Sequence, residues 1–135
     1  LAVTMPGATP VGAGRRAWYP WAPFADGGVV LAAGSSRALT PSLALEAMTR
    51  VQPEMPGPRV RTLTREEAVR AMTWGSAYAE RAERDKGWLA PGTLADLAVL
   101  SGDIFTMPAE RLAGITSVLT LVGGTIVYDA GVLSK

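Results

Sequence analysis

The sequence predicts an α/β chain in two parts, a β/α portion over residues 1–84 and an all-β portion over 86–135. Three observations predict it. An apolar run without polar alternation, Val29–Ala33, passes directly into Gly34-Ser35-Ser36 and then into a helical pattern, as a parallel strand buried on both faces does. Thr64 and Glu67 stand at the spacing of a capping box, ahead of apolar residues at intervals of three and four. After Lys86-Gly87 the pattern changes from helical to strand-like and ends in a hairpin turning at Gly123-Gly124, a pair that tolerates positive φ. Neither portion has enough strands to close a sheet or barrel by itself.

Along the chain, residues 1–5, Leu-Ala-Val-Thr-Met, read as a short strand stopped by Pro6-Gly7, and 6–14 as a connection. Trp18, Tyr19, Trp21 and Phe24 cluster around Pro20 and Pro23, which interrupt any regular helix; the cluster reads as an aromatic lid over the edge of a core. Asp26-Gly27-Gly28 is a turn into the second strand. Thr40 as a cap and Pro41 in a first turn open a helix over 41–51, with Leu43, Leu45, Ala47 and Met48 on its apolar side. Gln52–Pro58, with three prolines, is a loop.

The helix capped by Thr64 runs to about Glu83 on the pattern of Ala68, Ala71 and Met72. Gly75 inside it costs helix propensity and reads as a close-packing point. Leu94–Leu100 is the next strand, 103–112 a mixed loop with a short helix at Pro108–Arg111, and Ser117–Tyr128 the hairpin.

Composition excludes several functions. The 135 residues carry 13 Lys and Arg against 12 Asp and Glu, scattered without a block, so neither a nucleic-acid surface nor a polybasic membrane anchor is expected. Cysteine is absent, which removes disulfides, thiolate metal sites and a cysteine nucleophile, and fits a cytoplasmic protein. Histidine is absent too, and with it the commonest general base and zinc ligand; a self-sufficient zinc hydrolase or Ser-His-Asp hydrolase is not expected of this chain alone. No apolar run approaches the length of a bilayer span, and residues 1–20 lack the layout of a signal peptide. The first residue is Leu, so the expectation is a removed amino end or a piece of something longer.

An ordered set of motifs spans nearly the whole chain: Trp18-Tyr19-Pro20-Trp21, Asp26-Gly27-Gly28 with the strand to Gly34-Ser35, and Leu63-Thr64-Arg65-Glu66-Glu67-Ala68. Lys86-Gly87-Trp88-Leu89-Ala90-Pro91-Gly92, Ala95-Asp96-Leu97-Ala98-Val99-Leu100 and Gly123-Gly124-Thr125-Ile126-Val127-Tyr128 complete it. Together they resemble the carboxyl-terminal end of the amidohydrolase superfamily, in the YtcJ-like branch that includes N-substituted formamide deformylases. The resemblance implies that residues 1–84 are the last strands and helices of a TIM-like (β/α)8 barrel. Residues 86–135 would then be the C-terminal half of a small composite β-sandwich. It also implies a divalent, zinc-type metal in a complete family member, with none held by this chain, whose sequence lacks the other barrel strands and their histidine and lysine ligands.

The family's strand-eight turn reads Gly-Ser-Asp, and its aspartate binds metal and takes a proton from the attacking water. Here Gly34 and Ser35 match, and Ser36 stands at the aspartate's position with neither its charge nor its basicity. Ser36 is therefore the candidate catalytic position in altered form, with Ser35 and Arg37 as candidate substrate contacts. Arg37 is either an anion contact at the barrel mouth or a solvated turn arginine. Asp26, at the other end of the strand, and Asp96, within the sandwich pattern, read as structural. Ser35-Ser36 does not read as a nucleophile, because no Gly-x-Ser-x-Gly elbow surrounds it and no histidine can serve as its base.

Three functions remain open. The leading one is the C-terminal segment or subunit of a metal-dependent hydrolase of C–N, amide-type bonds in small molecules, completed by the remainder of the barrel or a second polypeptide. The second is a catalytically silent relative. The third is a small α/β interaction module, a homo-oligomer through the edge of the 117–128 hairpin.

Overall fold

The computed structural model describes residues 2–5, 21–34, 45, 49 and 61–133. Strand β1 (Ala2–Met5) pairs in parallel with β2 (Val30–Ala33), in register from Ala2↔Val30 to Met5↔Ala33, so both strands end at one level. Adjacent Leu31 and Ala32 are both buried. Because neighbouring side chains on a strand point to opposite faces, β2 is covered on both, as its lack of alternation predicts.

The prolines near the aromatic cluster do not prevent a helix. Helix α1 (Trp21–Asp26) contains Pro23. Proline is tolerated in a first turn, where backbone N–H groups lack an intrahelical acceptor in any case. The α1 carbonyls of Pro23 and Phe24 then take the N–H groups of Gly27 and Val29, at 3.0 and 2.9 Å, and turn the chain into β2. Of the expected lid, Trp21 packs against the core and Phe24 sits 6.3 Å from it, half exposed. Trp18, Tyr19 and Pro20 lie outside the described residues, as do the 6–14 connection and the 52–58 loop. So does the 41–51 helix apart from Leu45 and Thr49, both helical, with the Thr49 hydroxyl donating to the Leu45 carbonyl at 2.9 Å.

The capping box forms as predicted. Thr64 Oγ1 accepts the Glu67 N–H at 3.2 Å, and Glu67 Oε2 accepts the Thr64 N–H at 2.8 Å. The helix it opens is not uniform and does not reach Glu83. Helix α2 (Arg65–Arg70) passes into a π-helical segment, Ala71–Gly75, and then α3 (Ser76–Ala79). The stop is a Schellman closure: Ala82 N–H bonds the Ala77 carbonyl at 2.9 Å and Arg81 N–H that of Tyr78 at 3.0 Å, with Arg81 at a left-handed φ of 61°. Glycine normally takes that position, so the sequence around Arg81 does not announce it.

Gly75 is the close-packing point that its place in the helix suggests. A Cβ there would lie 1.9 Å from the Leu31 carbonyl oxygen, an impossible contact with backbone. The helix therefore rests directly on β2, at the same place where the π segment widens it.

Strands β3 (Leu97–Leu100), β4 (Ser117–Val122) and β5 (Thr125–Asp129) form an antiparallel meander in the order β3-β4-β5. Gly123 and Gly124 turn its hairpin at φ of 56° and 79°, the two positive angles a type I′ turn needs. The expected strand from Leu94 begins three residues late, at Leu97. Leu94 N–H is drawn to the Asp85 carbonyl at 2.7 Å, and the Ala95 carbonyl accepts Gly124 N–H at 3.1 Å, so this backbone is bonded elsewhere.

Between β3 and β4 the chain forms a 3-10 turn, Ala109–Gly114, carrying the fully buried Leu112. Leu112 joins Ala22, Leu31, Leu63, Ala68 and Ala71 in one cluster, with Ile104 and Met107 packed against it. The connection between two meander strands thus closes the core of the β/α portion. Arg65 fastens it further by donating to the Ile104 carbonyl at 2.8 Å. Among the described residues no helix is long and apolar enough to cross a membrane.

Candidate active site at the strand ends

Parallel strands that end in register send their following loops out of the same edge, which is where α/β proteins assemble their sites. In this chain those loops come after Met5 of β1 and Ala33 of β2. Gly34 is exposed, with none of the described residues within 4 Å of where a Cβ would stand. Ser35, Ser36 and Arg37, the three site residues expected from sequence, come next and lie outside the described residues.

The support behind the turn is described. Ser76 Oγ donates to the Ala33 carbonyl at 2.8 Å and lies 3.0 Å from the Ala71 carbonyl. Gly75, one residue earlier, meets the Leu31 carbonyl. Neither contact was legible in the sequence beyond the anomaly of a glycine inside a helical pattern.

The other two carboxylates considered have structural partners. Asp26 is bound by Arg61, whose guanidinium also donates to Glu67 at 2.7 and 2.9 Å. These bonds, to Glu67 first and Asp26 second, hold the Arg61 guanidinium well above its ordinary pKa. Bonding to Arg61, with a smaller contribution from the Thr64 N–H, holds the Glu67 carboxyl below its usual value despite partial burial. Arg61 thus joins the turn before β2 to the start of α2 across 35 residues, a link no local pattern reveals. Asp96 accepts the Gly123 N–H at 2.6 Å and so braces the hairpin turn.

Metal chemistry finds no seat in these side chains. The sequence has no histidine or cysteine, and the described residues contain no group of three or more acidic, histidine or cysteine side chains that could hold a metal ion. Among the described residues, the side chains present do not fit a resident divalent metal.

A second concavity, an open groove of about 650 Å³, runs along the side of α2 away from Ala68 and Ala71. Arg70 lies 4.5 Å over the Trp74 ring, which stacks on Tyr78 at 5.5 Å, while Trp88 and Phe105 stand half exposed on the groove's other side. Its lining is chiefly aromatic, with Thr73, Glu66 and Glu83 as its hydroxyl and carboxylate groups.

The sequence profile of the Amidohydrolase family matches residues 11–128, from ahead of α1 to the penultimate residue of β5. The chain belongs to the amidohydrolase family. Within this amidohydrolase-family chain, 119 residues align at 29 % identity with YtcJ of Bacillus subtilis (strain 168), a protein named as an amidohydrolase. The alignment covers 82 % of this chain and 22 % of YtcJ, so the chain spans about a fifth of the length of the curated relative it matches. No solved structure matches the chain. The amidohydrolase assignment agrees with the motif order read from the sequence.

Proposed function

We propose that this amidohydrolase-family chain is the carboxyl-terminal segment or subunit of a hydrolase acting on C–N, amide-type bonds of small molecules. In this reading residues 1–84 end a (β/α)8 barrel and residues 86–135 supply the last strands of a composite β-sandwich. The observation that carries it is the β1–β2 pair: two parallel strands ending in register, in a chain whose family profile runs through most of the loop after β1 and all of that after β2. The two strands described there do not make a barrel, so in this reading the remainder of the barrel, or a second polypeptide, completes the sheet.

Support for a completing partner comes from the meander. Every residue of β5 is exposed, including Ile126, Val127 and Tyr128, as are Val122 on neighbouring β4 and Val99 on β3, the other edge strand. An apolar sheet face is ordinarily covered by another layer. In the proposed assembly that layer comes from the remainder of the protein, and any divalent metal is held there. The chain's own part is to build and orient the strand-end turn. Ser36 offers a hydroxyl for hydrogen bonding where the family uses an aspartate, and Ser35 and Arg37 touch substrate. A cysteine-free composition fits a cytoplasmic setting.

A second reading, a catalytically silent relative, is favoured by one observation, the serine at position 36. One experiment separates the two. A native mass spectrum in metal-retaining buffer, with a subsequent assay against N-formyl and N-acyl amines, tests for a complex with a metal-bearing partner that hydrolyses. A complex that binds amides without turnover, and gains turnover in Ser36→Asp, establishes the silent relative. A 14.1 kDa species with neither partner nor metal removes hydrolysis from the chain's account.

A further inference from the structure

We infer that the groove along α2 binds a small organic cation of the alkylated-ammonium class, held by the faces of Trp88 and Phe105 and by the charge of Glu83 and Glu66. The inference stands apart from the hydrolase reading of the strand-end turn. At about 650 Å³ the groove has the size of a small-molecule site.

Its two aromatic walls are held by backbone. Past the stop at Arg81 the chain returns along the helix, and Gly87, at a φ of 91°, packs so tightly that a Cβ would stand 2.8 Å from Trp74 Cα and 2.9 Å from Ala77 Cβ. That contact sets the next residue, Trp88, beside the groove. Phe105 is fixed from its own turn, where its N–H donates to Asp103 Oδ1 at 2.8 Å while Arg65 takes the neighbouring Ile104 carbonyl. Both rings remain about half exposed, Trp88 at 52 % and Phe105 at 48 %. A ligand therefore meets apolar surface whose ordering cost is already met in the fold.

The charge of the groove chooses the ligand. Aromatic faces attract cations, and Arg70, 4.5 Å over the Trp74 ring, is the chain's own instance. Trp74 is thus engaged by Arg70 and stacked on Tyr78, which leaves Trp88 and Phe105 to a ligand. Against the one guanidinium stand two carboxylates, Glu66 and Glu83. Oε2 of Glu83 is shut away from solvent and has no hydrogen-bond partner among the described residues. An anionic oxygen so placed carries a desolvation cost that a nearby cation offsets. Because water does not reach that atom, a ligand N–H does not reach it either, and its charge acts through space with little screening. A cation that spreads its charge over methyl groups and requires no hydrogen bond meets these conditions, as an alkylated ammonium does. An anion would face both carboxylates, and a neutral ring would leave Glu83 uncompensated.

The test compares choline with the alcohol in which a tert-butyl group replaces its trimethylammonium, two probes of one shape that differ in charge. Each is titrated into this chain and followed by tryptophan fluorescence. Choline is expected to bind about tenfold more tightly than the alcohol. Glu83→Gln should weaken choline about fivefold and leave the alcohol unchanged, and Glu66→Gln should act in the same direction with a smaller effect. Trp88→Leu should weaken choline about tenfold, read by calorimetry, with the urea midpoint near wild type because the ring is half exposed. Equal affinity for the two probes, or binding of neither, overturns the inference. So does choline binding that Trp88→Leu leaves intact. Should Glu83→Gln lower the urea midpoint, Glu66→Gln and Trp88→Leu decide in its place.

Discussion

The two sheets of this chain carry similar sequence patterns and meet opposite surroundings. Val30–Ala33 of β2 and Thr125–Tyr128 of β5 both lack clean alternation between apolar and polar residues. In β2 the central Leu31 and Ala32 are buried, whereas every residue of β5 is exposed. An unalternating strand has the composition to be covered on both faces; whether its own chain supplies the cover is a separate matter. For β2 it does, through α1, the π segment, α3 and the 103–112 connection. For β5, among the described residues, it does not. The difference teaches that an unalternating composition does not by itself decide burial, since in one region the chain covers its own strand and in the other the described residues leave it bare.

The largest break in that comparison is expected at Gly75. Overpacking usually costs about 1–3 kcal/mol because side chains and backbone yield a little. Here the obstacle is the Leu31 carbonyl, 1.9 Å from a Cβ, which no rotamer relieves. Gly75→Ala should therefore exceed that range, and Gly75→Val should prevent native packing of the β/α portion. A urea titration monitored by tryptophan fluorescence reads it, with the wild-type midpoint as reference.

Leu112→Ala comes next, at about 3 kcal/mol, a value within the usual span for emptying a buried leucine. It lies between two meander strands yet packs among Ala22, Leu31, Leu63 and Ala68. The expected result is loss of protection in β2 and α2 during hydrogen exchange. A loss confined to β3–β5 would show that the two regions do not share that core.

Much of this was legible in the sequence, for reasons that can be named. The Thr64/Glu67 box, the Gly123-Gly124 hairpin and the parallel character of β2 are local patterns, set by residues within a few positions of one another. The Schellman stop at Arg81 was hidden because a non-glycine residue takes the left-handed position. The late start of β3 was hidden because Leu94 and Ala95 bond to Asp85 and Gly124, partners 9 and 29 residues away. For the site, the Ser35, Ser36 and Arg37 expected from the sequence lie outside the described residues, while Asp26 and Asp96, which the sequence marked as structural, have bonds that agree with it. The sequence could not show Ser76 reaching Ala33 across 43 residues, since only packing on Gly75 creates that contact.

The capping box tests the buried region more gently. Thr64→Ala removes a hydroxyl that accepts the Glu67 N–H and should cost about 1 kcal/mol. Its pH dependence has a defined sign. The folded pKa of Glu67 is lowered, chiefly by Arg61, so the contribution is present above the unfolded carboxyl's pKa and is lost as pH falls through the folded value. Arg61→Met should therefore flatten the acid side of the stability profile and leave the neutral-to-alkaline slope alone. An equally steep acid limb in that variant would assign the loss to other carboxylates, among them Asp103, whose pKa is lowered by Thr106 and the Phe105 N–H.

The smallest effect is expected where the comparison is sharpest. Val127 on β5 is 58 % exposed, so replacing it by Thr removes little buried area and should change the chain's own stability by less than about 0.5 kcal/mol. The same substitution places a hydroxyl on a surface that the proposed function assigns to contact with the rest of the protein. If that layer exists, Val127→Thr buries an added polar group in the assembly, and association measured by analytical ultracentrifugation or native mass spectrometry should weaken while the isolated chain's urea midpoint holds. The exposed apolar strand then belongs to an interface. If both midpoint and association are untouched, β5 is a solvated edge, and the case for a completing layer must rest on the unfinished parallel sheet alone.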